Sequence, residues 1–163
     1  RSHPPAMEAC LRWMISDEAL SFGAAQWGVT GSSLSQLPPA AYQGYLNMAL
    51  GLHRKVAPES SFSRVHDELT RKLALHLSSH SLASFTTYPG ETYPADLSTV
   101  IGSIALYQDA TGDATYDSTV TAAMSEFKTT AIDPTSGLVY QSLHSNGFPK
   151  LPVPQLLTAN CSF

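Results

Sequence analysis

The sequence predicts an all-α domain of antiparallel helix pairs, with one short β-hairpin near its C-terminal end. Three observations lead there. Of 163 residues, 43% are hydrophobic and only 13% charged, about half the usual charged share, a balance that favours a packed core over disorder. Successive segments repeat apolar residues at helical spacing, punctuated by Pro and Gly. Those segments alternate between helices apolar almost all round and helices with a single apolar stripe, as inner and outer members of pairs would.

The first helix is predicted from Pro4-Pro5 to about Leu20, with Pro in the first turn and Leu11, Trp13, Met14 and Ile15 as its apolar content. Phe22 to Leu37 is rich in Gly and Ser and reads as irregular, anchored by Phe22 and Trp27. Pro38-Pro39 opens a second helix that stops near Val56, before Pro58. Tyr42, Tyr45, Leu46, Ala49 and Leu52 follow its spacing, with Met48 and Leu50 widening the arc, so this helix is expected to be largely buried. Ser60 or Ser61 caps a third helix running to about Leu82. Its stripe is Phe62, Val65, Leu69, Leu73 and Leu77, while Arg64, Glu68, Arg71 and Lys72 point elsewhere, which describes an outer helix.

The loop Tyr88-Pro89-Gly90-Glu91-Thr92-Tyr93-Pro94-Ala95-Asp96 leads into a fourth helix, from Pro94 to about Asp109. Thr92 or Tyr93 is its expected cap. Leu97, Val100, Ile101, Ile104, Ala105 and Leu106 lie almost all round it, and it should be buried. Thr111-Gly112-Asp113 stops that helix and caps a fifth, Ala114 to Ala131, which is amphipathic through Tyr116, Val120, Ala123, Met124 and Phe127. Asp133-Pro134-Thr135-Ser136-Gly137 is a turn. Leu138 to Leu143 then alternates as a strand, with Ser145-Asn146-Gly147 turning it back, and a Pro-rich extended tail follows. The parts are residues 1–37, the helix pair 38–82, the loop and second pair 83–131, and the hairpin and tail 132–163.

Nine Lys+Arg against thirteen Asp+Glu leave a net charge of −4 and no basic patch, which argues against nucleic acid as a partner. No apolar run is long enough to span a bilayer. Few charges with abundant Ser, Thr and Pro lead to the expectation of an exported protein, periplasmic or extracellular. Cys10 and Cys161 either join the two ends as a disulfide or remain separate thiols. There is no GxGxxG, P-loop, GxSxG or CxxC pair, which disfavours nucleotide cofactors and a structural zinc site, and no cofactor is expected.

Tyr93-Pro94-Ala95-Asp96, Thr111-Gly112-Asp113 and Asp133-Pro134-Thr135-Ser136-Gly137-Leu138 together resemble (α/α) toroid proteins, most closely the linalool dehydratase/isomerase-like group. The resemblance is carried mainly by residues 88–143. It implies that the helix pairs form part of a toroid and that the inner helix faces a central pocket. A closed toroid contains more helix pairs than this chain supplies, so a longer chain or a partner chain is expected to complete it, as a homo- or hetero-oligomer.

Asp96 falls in the first turn of the fourth helix. It either complements the helix dipole or, in a toroid pocket, acts as general acid or base with a pKa tuned by burial. Asp96, Ser103 and Tyr107 share one line of that helix, at i, i+7 and i+11. Glu91 is either a solvated loop acid or the second member of a carboxylate pair with Asp96. Tyr88 and Tyr93 either bind substrate or pack on the core. After the turn, His144 is either a candidate acid/base residue, on the strength of the resemblance, or an exposed hairpin tip, and Gln141 near it is a candidate substrate ligand. Cys161 is a weaker candidate nucleophile, with nothing around it to lower its thiol pKa. His66, His76 and His80 lie in or beside the apolar stripe of the third helix. The i, i+4 pair His76 and His80 is compatible with one metal ion, but a third ligand is missing, and hydrogen-bonded histidines between helices are the expected arrangement. His53 ends the second helix, where a cation is favourable.

The leading expectation is a cofactor-independent acid/base enzyme acting on a small alcohol or sugar-like substrate, with Asp96 as the main proton-transferring group. The resemblance implies lyase or isomerase chemistry, and other toroids imply glycan cleavage. The competing expectation is a non-catalytic module that completes a partner's toroid.

Overall fold

The computed structural model describes residues 4–19, 40–87 and 91–143. These are mostly helical: α1 (Pro4–Met14), α2 (Ala40–Val56), α3 (Ser63–Ser79), a 3-10 turn (Leu82–Ser84), α4 (Pro94–Thr111) and α5 (Asp117–Thr130). The expected irregular segment 22–37 and the C-terminal tail lie outside the described residues, as do Tyr88, His144 and Cys161. Cys10 is exposed.

The most extensive interface joins α2 to α4. It is closest at Gly44, where an added Cβ would fall 2.8 Å from Val100 Cγ2 and 3.2 Å from the Val100 Cα and N. One turn pair further on, a Cβ on Gly51 would meet the Leu106 side chain at 2.9 Å. Glycine is costly in a helix, and here the absent Cβ is what lets the two backbones approach. Contacts run in the same order along both helices, Tyr45 to Asp96, Asn47 to Ser103 and Arg54 to the Tyr107 ring, so α2 and α4 are parallel. Arg54 meets Asp67 and Asn47 meets Thr70, the reverse order, so α3 runs antiparallel to α2. Helix α3 also packs on α4 and α5, and α1 packs on α2.

Leu46, Leu50, Leu97, Val100, Ile101 and Ile104 form the centre, each at most 1% exposed. Leu69, Leu73 and Leu77 close it from α3, and Ala123 and Phe127 from α5. Within it lies a polar knot. Asn47 donates from Nδ2 to Ser103 Oγ (3.0 Å) and accepts from the Thr70 hydroxyl (3.0 Å), while Ser103 donates to the Val100 carbonyl (2.8 Å). All three residues are fully buried, and all their polar atoms are paired, as burial demands.

Several boundaries differ from expectation for local reasons. The first helix breaks at Ile15-Ser16, where the Ser16 hydroxyl takes the Trp13 carbonyl (2.6 Å) and receives the Ala19 N–H (3.3 Å), offering the backbone an alternative to the helix. Ser60 does not cap α3; Phe62 occupies that position, and Ser60 Oγ instead binds His53 Nδ1 (2.9 Å) and the Phe62 N–H (3.1 Å). Helix α4 ends at Gly112, in the left-handed conformation with φ 74°. Asp113 does not cap α5: its carboxylate holds the Thr115 N–H (2.9 Å) one turn earlier. Helix α4 is also not buried all round, since Ala95, Ser98 and Ala105 are exposed.

The Asp133–Gly137 turn forms as its composition implies, with Asp133 Oδ1 accepting from the Thr135 and Ser136 N–H groups at 2.8 Å each. Among the described residues there is no strand, only isolated antiparallel bridges, Ile132 with Val139 and Thr92 with Leu143. The turn at 145–147 lies outside the described residues.

Gly44 and Gly51 should respond differently to Ala. Gly44→Ala meets backbone that cannot yield and should destabilise by about 1–3 kcal/mol, overriding the better helix propensity of Ala. Gly51→Ala meets a half-exposed leucine that can rotate and should change stability by less than about 1 kcal/mol. Urea denaturation of both variants checks the ranking.

Candidate functional site

Pro94 fixes the first turn of α4, and the third residue of that turn is Asp96. Its side chain does not reach solvent freely, being 9% exposed. The Tyr45 hydroxyl donates to Asp96 Oδ1 at 3.3 Å, and Thr87 supplies a second side-chain hydrogen bond. Thr87 is itself fully buried and accepts the Tyr93 N–H (2.8 Å), which seats it at the head of α4. Burial pushes the Asp96 carboxyl above its ordinary range, and the hydrogen bonds from Tyr45 and Thr87 oppose the rise without cancelling it. A carboxyl of this kind can exchange a proton nearer neutrality than a solvated aspartate can. The Tyr45 ring beside it is 51% exposed, so one wall of the site opens outward.

Glu91 lies in the same loop, half-buried and hydrogen-bonded by the Tyr93 hydroxyl. Its carbonyl accepts the Thr87 N–H (3.0 Å), which connects it through one residue to Asp96. Glu91, Tyr93, Thr87, Asp96 and Tyr45 thus form one connected group at the head of α4. Tyr45 and Thr87 are the members that sequence reading missed. Tyr45 looked like one more apolar position on its helix, and Thr87 stood in a polar run with nothing to distinguish it.

The other positions on the Asp96 line serve elsewhere. Ser103 is fully buried in the Asn47 knot. Tyr107 lies about 16 Å along the helix from Asp96, at 1.5 Å per residue. Its ring packs edge-on against His66 at 4.9 Å and beneath the Arg54 guanidinium at 5.6 Å. The three residues do share a face, but from Ser103 onward that face is packed against α2 and α3. Tyr107 is pushed up to about 12, first by burial and then by the nearby Asp67 carboxylate, with which it hydrogen-bonds. Arg54 and Asp67 are paired at 2.5 Å. Gln141 is exposed.

The histidines separate into two kinds. His53 and His66 are each 1% exposed. His53 contacts Ser60 and the edge of Phe62, whereas neither ring nitrogen of His66 has a hydrogen-bond partner. Burial, then the Arg54 charge, lowers the His66 pKa to about 4, with Asp67 opposing. His76 and His80 are not between helices but exposed at the end of α3, stacked on each other at 4.4 Å. The arrangement expected for them does not form because α3 ends there and its stripe has already passed to Leu77. Among the described residues, no group of three or more metal-ligating side chains converges.

No protein-family model matches the chain, and no curated protein matches it.

His66 makes folding pH-dependent in a defined direction. Its folded pKa of about 4 lies below the ordinary 6.5, so the unfolded chain takes up the proton first as pH falls. The associated stability is complete above about pH 6.5 and is lost progressively towards pH 4, amounting to about 3 kcal/mol. Urea midpoints measured from pH 7.5 to 4.5 should fall, and His66→Phe should flatten the part of the fall that lies in this window.

Proposed function

We propose that this chain is part of an (α/α) toroid and acts as a cofactor-independent acid/base enzyme with Asp96 as its proton-transferring group. The observation that carries the reading is the Asp96 carboxyl: buried, raised in pKa, and held by Tyr45 and Thr87 beside a half-exposed aromatic ring. Parallel α2 and α4, each followed by a helix on the outer side, are compatible with the pairing that a toroid requires. Thr87 and Tyr45 orient the carboxyl, and Glu91, engaged by Tyr93, is the second acid of the group. A small alcohol or sugar-like substrate is the class this chemistry suits, by elimination, isomerisation or glycan cleavage. Such a substrate offers a hydroxyl that the carboxylic acid can protonate, and its adjacent C–H can return a proton to the carboxylate.

One observation favours a second reading. Tyr45, Leu52 and Val56 are 51%, 49% and 57% exposed along one stripe of α2. Exposed apolar faces of this kind mark association surfaces, and a non-catalytic module that completes a partner's toroid would carry one.

The enzyme reading is tested by incubating the chain with linalool, and separately with a neutral oligosaccharide, and following turnover by NMR. Asp96→Asn should remove whatever turnover occurs, by roughly 100-fold or more as expected for loss of a general acid/base, while thermal unfolding stays within a few degrees of wild type. If Asp96→Asn retains turnover but melts earlier, Asp96 is only a helix-terminus acid. The module reading is tested by light scattering. An oligomer that Leu52→Glu with Val56→Glu converts to monomer supports it, and a monomeric wild type with turnover removes it.

A further inference from the structure

We propose that His76 and His80 form a two-point chelating site for a borderline divalent metal ion such as Zn2+ or Cu2+, with its remaining coordination positions open to a neighbouring groove. This site is separate from Asp96 and does not rest on the acid/base reading. His76 occupies the last turn of α3, and His80 is the residue that ends the helix, in an extended conformation. Their imidazole rings stand 4.4 Å apart and only 17° from parallel. An imidazole binds a metal through the in-plane lone pair of a ring nitrogen, so the stacked rings are near neighbours rather than a preformed chelate. Rotation about their side-chain bonds must turn one nitrogen of each to within about 2.1 Å of a single ion.

Each ring is held. The edge of Phe85 meets His76 at 4.5 Å with an interplanar angle of 89°. His80 Nδ1 lies 3.2 Å from the His76 carbonyl oxygen. A carbonyl can only accept, so Nδ1 carries the proton and Nε2 carries the lone pair. That is how metal-binding histidines are usually prepared, with one ring nitrogen fixed by a backbone carbonyl and the other left to the ion. The C-terminal end of α3 adds the negative end of the helix dipole, which favours a cation.

His80 also lines an open groove of about 540 Å³ between the end of α3 and α5, together with Ser79, Ser81, Ser118, Thr119 and Glu126. No Lys or Arg lines it. Glu126 spends Oε1 on the Leu82 N–H at 2.8 Å. Only two imidazoles converge, so water or an oxygen-bearing ligand in the groove completes the coordination.

The test uses the chain carrying no polyhistidine tag. Calorimetric titration with Zn2+ alone in a non-coordinating buffer should show one saturable equivalent. His80→Gln and His76→Gln should each weaken it by roughly 100-fold, as expected when a two-point attachment is reduced to one, with far-UV circular dichroism unchanged. Cu2+ bound to the wild-type chain should show two imidazole nitrogens in its electron paramagnetic resonance spectrum. The proposal is overturned by an absence of saturable binding, by the same isotherm in the His76→Gln/His80→Gln double variant, or by a single-nitrogen copper signal.

Discussion

The approach of α2 to α4 at Gly44 is the constraint on which the other contacts depend. With no Cβ at position 44, the α2 backbone sits against the backbone of Val100, and the helices then stay in one register along their shared length. That register carries Asn47 to Ser103, Tyr45 to Asp96, Arg54 to the Tyr107 ring and Lys55 to Asp109. Glycine's entropic cost is offset by the apolar surface removed from water on both helices. The Asn47 knot adds specificity. A slip along α2 would leave buried amide and hydroxyl groups without partners, which costs more than a hydrogen bond gains.

The same register produces two different ends. At the head of α4, a carboxyl is partly withdrawn from water beside an exposed tyrosine, and its proton affinity rises. At the tail, Arg54 and Asp67 pair as ions beside the uncharged Tyr107 phenol and a histidine that is kept uncharged. Burial is the first cause of each shift, but its sign follows the charge of the ionised form: up for Asp96 and Tyr107, down for His66. In the tail cluster the His66 and Tyr107 rings are buried and the Arg54–Asp67 pair lies over them at the rim, which has the character of a structural joint. The head keeps one open wall, and chemistry needs that access.

Sequence periodicity predicted α2 to α5 to within a few residues, because burying a stripe at 3.6-residue spacing is a local demand, whereas the first helix, expected to about Leu20, ends at Met14. It was least accurate where a hydroxyl or carboxylate chose between neighbouring backbone groups. Ser16, Ser60 and Asp113 each found a different partner from the one their position implied. The site was legible only in part. Asp96 announced itself as an acid entering a buried helix, whereas Tyr45 and Thr87 did not, since their relation to it spans 51 residues in one case and a loop in the other. The histidines of α3 show the limit most clearly: His66 is sealed in the core, while His76 and His80 are exposed on the same helix.

The sequence by itself determined an all-α chain with low charge, glycine and proline punctuation, and an acid at the first turn of its most apolar helix. Composition and spacing suffice for that, because they act through neighbours along the chain. Only the tertiary structure decided which polar residues of those helices would be structural and which accessible. Ser103 and Tyr107 share a helix face with Asp96, yet they are used up by Asn47, Asp67 and His66. The direction in which a helix face looks is set by what packs on it, and packing partners are distant in sequence.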